Sequence, residues 1–192
     1  SASPVKLDYL LFDMCFSAGI ELFWALKDKA SYIGGSCAEV IADGMFDYSK
    51  ITSRVFQKSG TDLHGLMKDS FERYDKRTDV TRSATVTLVD TDGLNALGTV
   101  CKRLINDYRS RIERLDYRHV QGYYRLGRHY FFDLEDIFIQ CGASQADLDE
   151  LKAALDGCVV YKGATPSFLN YFDINTYSGI SMYLPSGGTQ LL

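Results

Sequence analysis

Leu7-Asp8-Tyr9-Leu10-Leu11-Phe12-Asp13-Met14-Cys15 is the stretch that decides the fold. Leu7 to Phe12 is a short apolar run closed by Asp13, which reads as a mostly buried strand of a parallel sheet. From Phe16 to Lys27 the period changes to 3.6. Ile20, Phe23 and Trp24 fall at i, i+3 and i+4, with Leu22 and Leu26 flanking them. Strand and helix are joined through Asp13-Met14-Cys15 without a long loop.

The same alternation continues outward. Tyr32 to Cys37 reads as a second strand running into a glycine-bearing loop, and Ala42-Asp43-Gly44-Met45 as a turn. Tyr48 to Tyr74 reads as helix in two pieces, broken near Ser59-Gly60. Ala84 to Val89 alternates like a strand, and Asp90-Thr91-Asp92-Gly93 supplies N-cap candidates. The helix that follows carries Leu94, Leu97, Cys101, Leu104 and Ile105 on one stripe and is expected to extend through Tyr108, Ile112 and Leu115. Phe131 to Ile139 is apolar with acidic interruptions. Gln145 to Leu155 reads as a short amphipathic helix. Val159 to Lys162 and Gly179 to Leu184 read as strands, the latter closed by Pro185. Strands alternating with helices imply an α/β architecture.

With 192 residues the chain is expected to be one domain over 1–192. It is 46% hydrophobic and 24% charged, enough for a sizeable core and unlike a disordered chain. A net charge of −4 argues against nucleic acid as partner. No apolar run reaches the roughly 18 residues of a membrane span. The five cysteines, Cys15, Cys37, Cys101, Cys141 and Cys158, include no C-x-x-C pair, so neither a structural zinc site nor a disulfide framework is expected. The opening Ser1 to Lys6 carries no initiator methionine, signal peptide or transit segment. Ser186 to Leu192 reads as an interrupted loop. Further sequence is therefore expected before Ser1, with Leu192 not a natural domain end.

Cys15 is the residue singled out for chemistry. It follows a buried strand at the carboxyl edge of the sheet, where open α/β proteins place their sites. Beside a helix N-terminus a thiol is favoured as thiolate, the nucleophile of covalent acyl transfer. Asp13, two residues earlier, shares its side if the backbone stays extended, and a carboxylate there suits a cationic substrate group. The structural alternatives are a small buried hydrophobe for Cys15 and a helix cap for Asp13.

Phe12-Asp13-Met14-Cys15, Glu21, Ala25-Leu26-Lys27-Asp28, Tyr32, Ser36 and Asp43-Gly44 together resemble the nucleophile segment of clostripain-like cysteine peptidases. Ala84 to Leu97, Asp133-Leu134 and Gly179 to Pro185 resemble later parts of that family in the same order. The resemblance implies a caspase-like α/β/α sandwich around a mainly parallel sheet, incomplete without an N-terminal chain. It also implies a Cys–His dyad cleaving after basic residues. Cys15 would be the nucleophile, Asp13 the acid near the base of the pocket for Arg or Lys, Met14 a lining residue, and Asp43, 28 residues after Cys15, a second acid. No cofactor is expected; calcium, used by some relatives, is left open with Asp43 and Asp47 in a loop that lacks EF-hand spacing. Export by a bacterium, to the cell envelope or beyond, is implied by the resemblance alone.

No histidine precedes Cys15, where the family keeps its His-Gly pair. His64-Gly65 mimics the pair but follows Cys15 in a helical stretch. His119 and His129 lie among Arg118, Arg125 and Arg128 and read as solvated surface residues. The expected partner is therefore an N-terminal light chain of the same precursor, which supplies the histidine and one oxyanion donor; the Cys15 amide supplies the other. The competing readings are a catalytically silent relative acting as a binding or scaffold module, and a papain-order peptidase pairing Cys15 with His119 or His129. The second lacks the Gly-Ser-Cys-Trp context of that group.

Overall fold

The computed structural model describes residues 5–57, 60–127 and 129–184. The readings of Ser1 to Pro4, Ser59, Arg128 and Pro185 to Leu192 lie outside the described residues. The strands are β1 (Leu7–Leu11), β2 (Ala30–Gly35), β3 (Thr85–Asp90), β4 (Phe131–Asp133), β5 (Val159–Ala164), β6 (Ser167–Phe168), β7 (Phe172–Asp173) and β8 (Ser181–Tyr183). The helices are α1 (Ile20–Leu26), α2 (Tyr48–Val55), α3 (Leu63–Asp75), α4 (Leu94–Ile112), α5 (Leu134–Gln140) and α6 (Gln145–Asp156).

The central sheet has the order β1-β2-β3-β5. β1 and β2 are parallel, with Leu7 opposite Ala30 and Leu11 opposite Gly34. β3 is antiparallel to both β2 and β5, so three strands share a direction and β3 runs against them. A single strand's residue pattern carries its burial but not its direction, so this reversal was not readable. Gly179 to Leu184, read as a strand, contributes β8, which pairs with β4 in a separate two-stranded ladder.

Each sheet face is covered by helices. On one face Phe23, Ile33, Val89, Leu94, Leu97 and Leu104 pack with residues of α5 and α6. On the other, Val86 and Leu88 meet Met45, Phe46, Leu66 and Met67 of the α3 side. Val86 and Leu88 against Val89 shows β3 serving both faces, with a register shift between Leu88 and Val89. Of the expected α4 stripe, Leu94, Leu97, Cys101 and Leu104 lie in the larger core, whereas Ile105 faces outward at 37% exposure and the helix ends at Ile112, short of Leu115. Leu94, Leu97 and Leu104 are fully buried, each such side chain being worth roughly 1.5–3 kcal/mol. Asp90 accepts from the Asp92 N–H at 3.0 Å and so caps the turn that opens α4.

α1 begins at Ile20, four residues later than the period suggested. The physical reason is that the intervening backbone is still paired with the chain beyond β2. The Phe16 N–H donates to Ala38 O at 3.0 Å and the Ala18 N–H to Ser36 O at 2.9 Å. Phe16 itself has φ +55°, a costly value for a bulky side chain and incompatible with a helix start. Trp24 is 45% exposed and lies over Gly98 of α4.

Gly35 closes β2 against this segment. A Cβ there would sit 2.6 Å from Ser17 Oγ and 2.9 Å from the Ser17 backbone carbonyl atoms. A Cβ at Gly98 would instead meet the half-exposed Trp24 ring, which has room to turn. Gly35→Ala is expected to destabilise by about 1–3 kcal/mol in urea unfolding, and Gly98→Ala by clearly less. Equal losses would show that the backbone contact at Gly35 does not constrain the segment.

Candidate active site

Beyond β1 the chain stays extended for two residues, then turns. The Phe12 N–H donates to Gly34 O at 2.9 Å, prolonging the β1–β2 pairing to the edge of Asp13. The turn is fastened by Ser17, whose Oγ donates to Met14 O at 2.8 Å and accepts from the Ser36 N–H at 3.1 Å. Phe16 holds its left-handed backbone with its ring stacked on Phe131, centroids 5.2 Å apart, and edge-on to Tyr124.

Asp13 and Cys15 both address the connector between β2 and α2. Asp13 Oδ1 accepts from the Met45 N–H at 2.6 Å, and Oδ2 from the Tyr48 hydroxyl at 2.9 Å. Cys15 Sγ accepts from the Val40 N–H at 3.2 Å. The Cys15 thiol is partly exposed, and its backbone N–H has no partner among the described residues. Met14 between them is 51% exposed. The expected helix N-terminus next to Cys15 is absent: α1 starts five residues on, beyond the reach of a dipole that fades within the first turn.

Asp13 and Asp43 differ in electrostatic situation. Asp13 has neutral donors on both oxygens and no ion-pair partner among the described residues. Partial burial, with the Asp13 carboxylate adding to it, pushes the Tyr48 hydroxyl's ionisation up, so it stays a donor. Asp43 is exposed but bound to Arg77, with Arg73 3.9 Å away, and the Arg77 hydrogen bond holds its carboxyl below the usual range. Arg73 and the Tyr74 hydroxyl also donate to the carbonyls of the Asp43-Gly44 segment. Asp43 therefore reaches the neighbourhood of Asp13 already neutralised by α3 and the residues after it. Asp47 caps α2 through the Ser49 N–H at 3.1 Å.

The other four cysteines are buried. Burial pushes the thiols of Cys101 and Cys158 up to about 12 and raises those of Cys37 and Cys141 as well. Among the described residues, no group of three or more His, Cys, Asp or Glu is arranged to hold a metal ion, and no helix is long and apolar enough to cross a membrane.

The three histidines have surroundings of their own. His64 lies in α3 with its ring against Tyr161 of β5. His119 is exposed beside Asp116 at 3.6 Å. His129 is not the solvated residue expected: it is half-buried, its Nδ1 accepts from the Tyr124 N–H at 3.4 Å, and burial lowers its pKa. Tyr48, Val40 and Met45 were not anticipated as neighbours of the Asp13–Cys15 pair. They are brought in by backbone groups and a tyrosine without a distinguishing motif, so the sequence held no signal for them.

A model of the clostripain family matches residues 2–188. Among solved structures, the chain is similar to an inactive zymogen C11 protease from Parabacteroides distasonis. The two are 26% identical with a TM-score of 0.85, over 96% of this chain and 54% of that one. It is similar to a clostripain from Bacteroides thetaiotaomicron in complex with a peptide inhibitor, 27% identical, TM-score 0.78, over 93% of this chain and 78% of that one. A secreted C11 cysteine protease of the same organism, iotapain, is 26% identical with a TM-score of 0.79, over 93% of this chain and 50% of that one. The chain thus spans about half the length of the first and third of these relatives. No curated protein matches it. With almost all of its length accounted for by that family model and the α/β/α sandwich shared with these proteases, the chain belongs to the clostripain family.

Proposed function

We propose that the chain is the nucleophile-bearing part of a cysteine endopeptidase that cleaves after arginine or lysine. The observation that carries this reading is the shared orientation of Asp13 and Cys15. Both side chains address one connector, at Met45 and Val40, at the carboxyl end of a strand whose neighbour runs parallel to it. Membership of the clostripain family supports it.

In this mechanism the Cys15 thiolate adds to the scissile carbonyl carbon. The unpartnered Cys15 N–H donates to the oxyanion as negative charge develops there. Collapse breaks the C–N bond and leaves a thioester on Sγ. A histidine takes the thiol proton and returns it to the departing amine, and water then hydrolyses the thioester. That histidine comes from an N-terminal chain of the same precursor, since His64, His119 and His129 are occupied elsewhere. Asp13 receives the basic side chain of the substrate. One internal donor on each oxygen leaves acceptor capacity on both, which a guanidinium fork or an ammonium can fill. Asp43, already paired with Arg77, serves in this reading to anchor the pocket loop and to add a weaker field. Met14 lines the opening. Secretion, stated for iotapain, is the proposed fate of the mature protein.

The absence, among the described residues, of any hydrogen bond from a histidine to Cys15 favours a second reading, a catalytically silent relative that binds peptides. Kinetics separate the two. In the full-length protein, Cys15→Ala is expected to lower hydrolysis of Arg- and Lys-terminated reporters by about a thousandfold or more; unchanged hydrolysis ends the peptidase reading, and none by the wild type selects the silent one. Asp13→Asn should raise KM for basic reporters about tenfold while leaving neutral ones nearly unmoved. Equal rises would remove Asp13 from the pocket. Iodoacetamide should label Cys15 ahead of the four buried cysteines in the native protein, with peptide mapping as the check and preferential labelling of any other cysteine as the contrary result.

A further inference from the structure

The hydrogen bond on the Cys15 sulfur has a support of its own, which goes beyond the reading of Cys15 as nucleophile and rests on it. The donor is the Val40 backbone N–H, 3.2 Å from Sγ, while the thiol donates to the Val40 carbonyl at a looser 3.9 Å. The connector carrying Val40 is fixed up to Ala38. The Ala38 N–H donates to Thr85 Oγ1 at 2.9 Å, and its carbonyl accepts from the Phe16 N–H at 3.0 Å and Ser36 Oγ at 3.1 Å. Glu39 and Val40, by contrast, make no backbone–backbone hydrogen bond among the described residues.

A side chain replaces that missing tie. The Glu39 carboxylate is only 17% exposed and meets Arg125, from the segment before β4. Arg125 Nε hydrogen-bonds Oε1 at 3.1 Å and makes a charge contact with Oε2 at 2.8 Å. The guanidinium also lies over the Tyr171 ring, 5.7 Å from its centroid. Two distant parts of the chain therefore converge on the residue that precedes the thiol's donor.

We propose that Glu39 and Arg125 are positioning residues: their ion pair holds the Val40 N–H on Cys15 Sγ, and that amide favours the thiolate over the thiol. A donor aimed at a sulfur stabilises its charged form, and bonds to charged acceptors are stronger than bonds to neutral ones. Charge alone would give Glu39 the opposite role, since a carboxylate near a thiolate repels it. For Glu39 the two explanations therefore differ in sign, whereas for Arg125 they agree, so Glu39→Gln decides between them.

The test is the second-order rate of iodoacetamide alkylation of Cys15 at one near-neutral pH, in the full-length protein, read by mass spectrometry of the Cys15 peptide. Iodoacetamide is neutral, so the reagent itself does not sense the altered charges. Glu39→Gln and Arg125→Gln are each expected to slow alkylation by at least about fivefold, the size expected when part of a charge-assisted hydrogen bond is lost. The ultraviolet thiolate absorbance that Cys15→Ser removes should fall in parallel. The double variant should be no slower than the slower single, as for partners in one interaction. Near-ultraviolet circular dichroism checks the fold; if Arg125→Gln loses it, Arg125→Lys, which keeps the charge without the fork, is read instead. An unchanged or faster rate in Glu39→Gln overturns the proposal, as do additive losses. Alkylation differences without peptide hydrolysis by the wild type would reject the peptidase reading and leave this inference standing. Hydrolysis with unchanged alkylation would do the reverse.

Discussion

β1 and β2 go on exchanging hydrogen bonds after their last paired residues, and the candidate site depends on that continuation. The contacts Phe12 to Gly34, Phe16 to Ala38 and Ala18 to Ser36 carry the pairing through the turn that holds Asp13 and Cys15. They force Phe16 into a left-handed conformation and postpone α1 to Ile20. A helix starting at Cys15 would break these cross-strand bonds, leave the Phe16 N–H among its own unpaired first-turn donors, and turn the thiol along the helix face. The extended turn instead points both side chains to the connector after β2 and leaves the Cys15 amide unpartnered.

That connector, Ser36 to Asp47, is where structural and chemical demands meet. At one end Thr85, Phe16 and Ser36 fasten Ala38. At the other, Arg73, Tyr74 and Arg77 fasten Asp43 and Gly44. Between these anchors Val40 supplies the donor to Cys15, and just past the second Met45 supplies one of the two donors to Asp13. The contrast between the two carboxylates follows from these anchors. Asp43 carries a resident guanidinium, whereas Asp13 carries only neutral donors, so an incoming cation competes with an internal one at Asp43 but not at Asp13.

Much of this was legible in the residues, for identifiable reasons. The existence of β1, most of the α4 stripe and the cap at Asp90 are local patterns, and local patterns survive folding when tertiary contacts agree with them. The burial expected of β1 is corrected: it lies at the edge of the sheet, with Leu7 45% exposed and none of its residues fully buried, because burial is set by which strands end up flanking it. The α/β class was implied by the alternation of strands and helices, and the two-sided sandwich by the resemblance to clostripain-like peptidases. The direction of β3 and the pairing of β8 with β4 depend on where distant segments end up, and neither leaves a mark on a single strand's pattern. The late start of α1 shows tertiary pairing overriding periodicity: Ile20, Phe23 and Trp24 mark the helix correctly, but nothing local reveals that Phe16 and Ala18 are already bonded elsewhere. At the site, Cys15 stood out for its place at the end of a strand before a helical pattern, and Asp13 for lying two residues earlier, although the helix itself starts only at Ile20. Glu39, Arg125 and Tyr48 did not, because their roles arise from contacts across 35 to 86 residues of chain.

The account as a whole rests on a nucleophilic sulfur beside a carboxylate that selects a cation. The most direct test treats the full-length protein with two peptidyl ketones bearing the same leaving group, one ending in arginine and the other in norleucine, and follows the adducts by intact mass and peptide mapping. The account predicts a single covalent adduct on Cys15, formed much faster with the arginine reagent, and a loss of that preference in Asp13→Asn. Adducts on another cysteine, or equal rates with the two reagents, would contradict it.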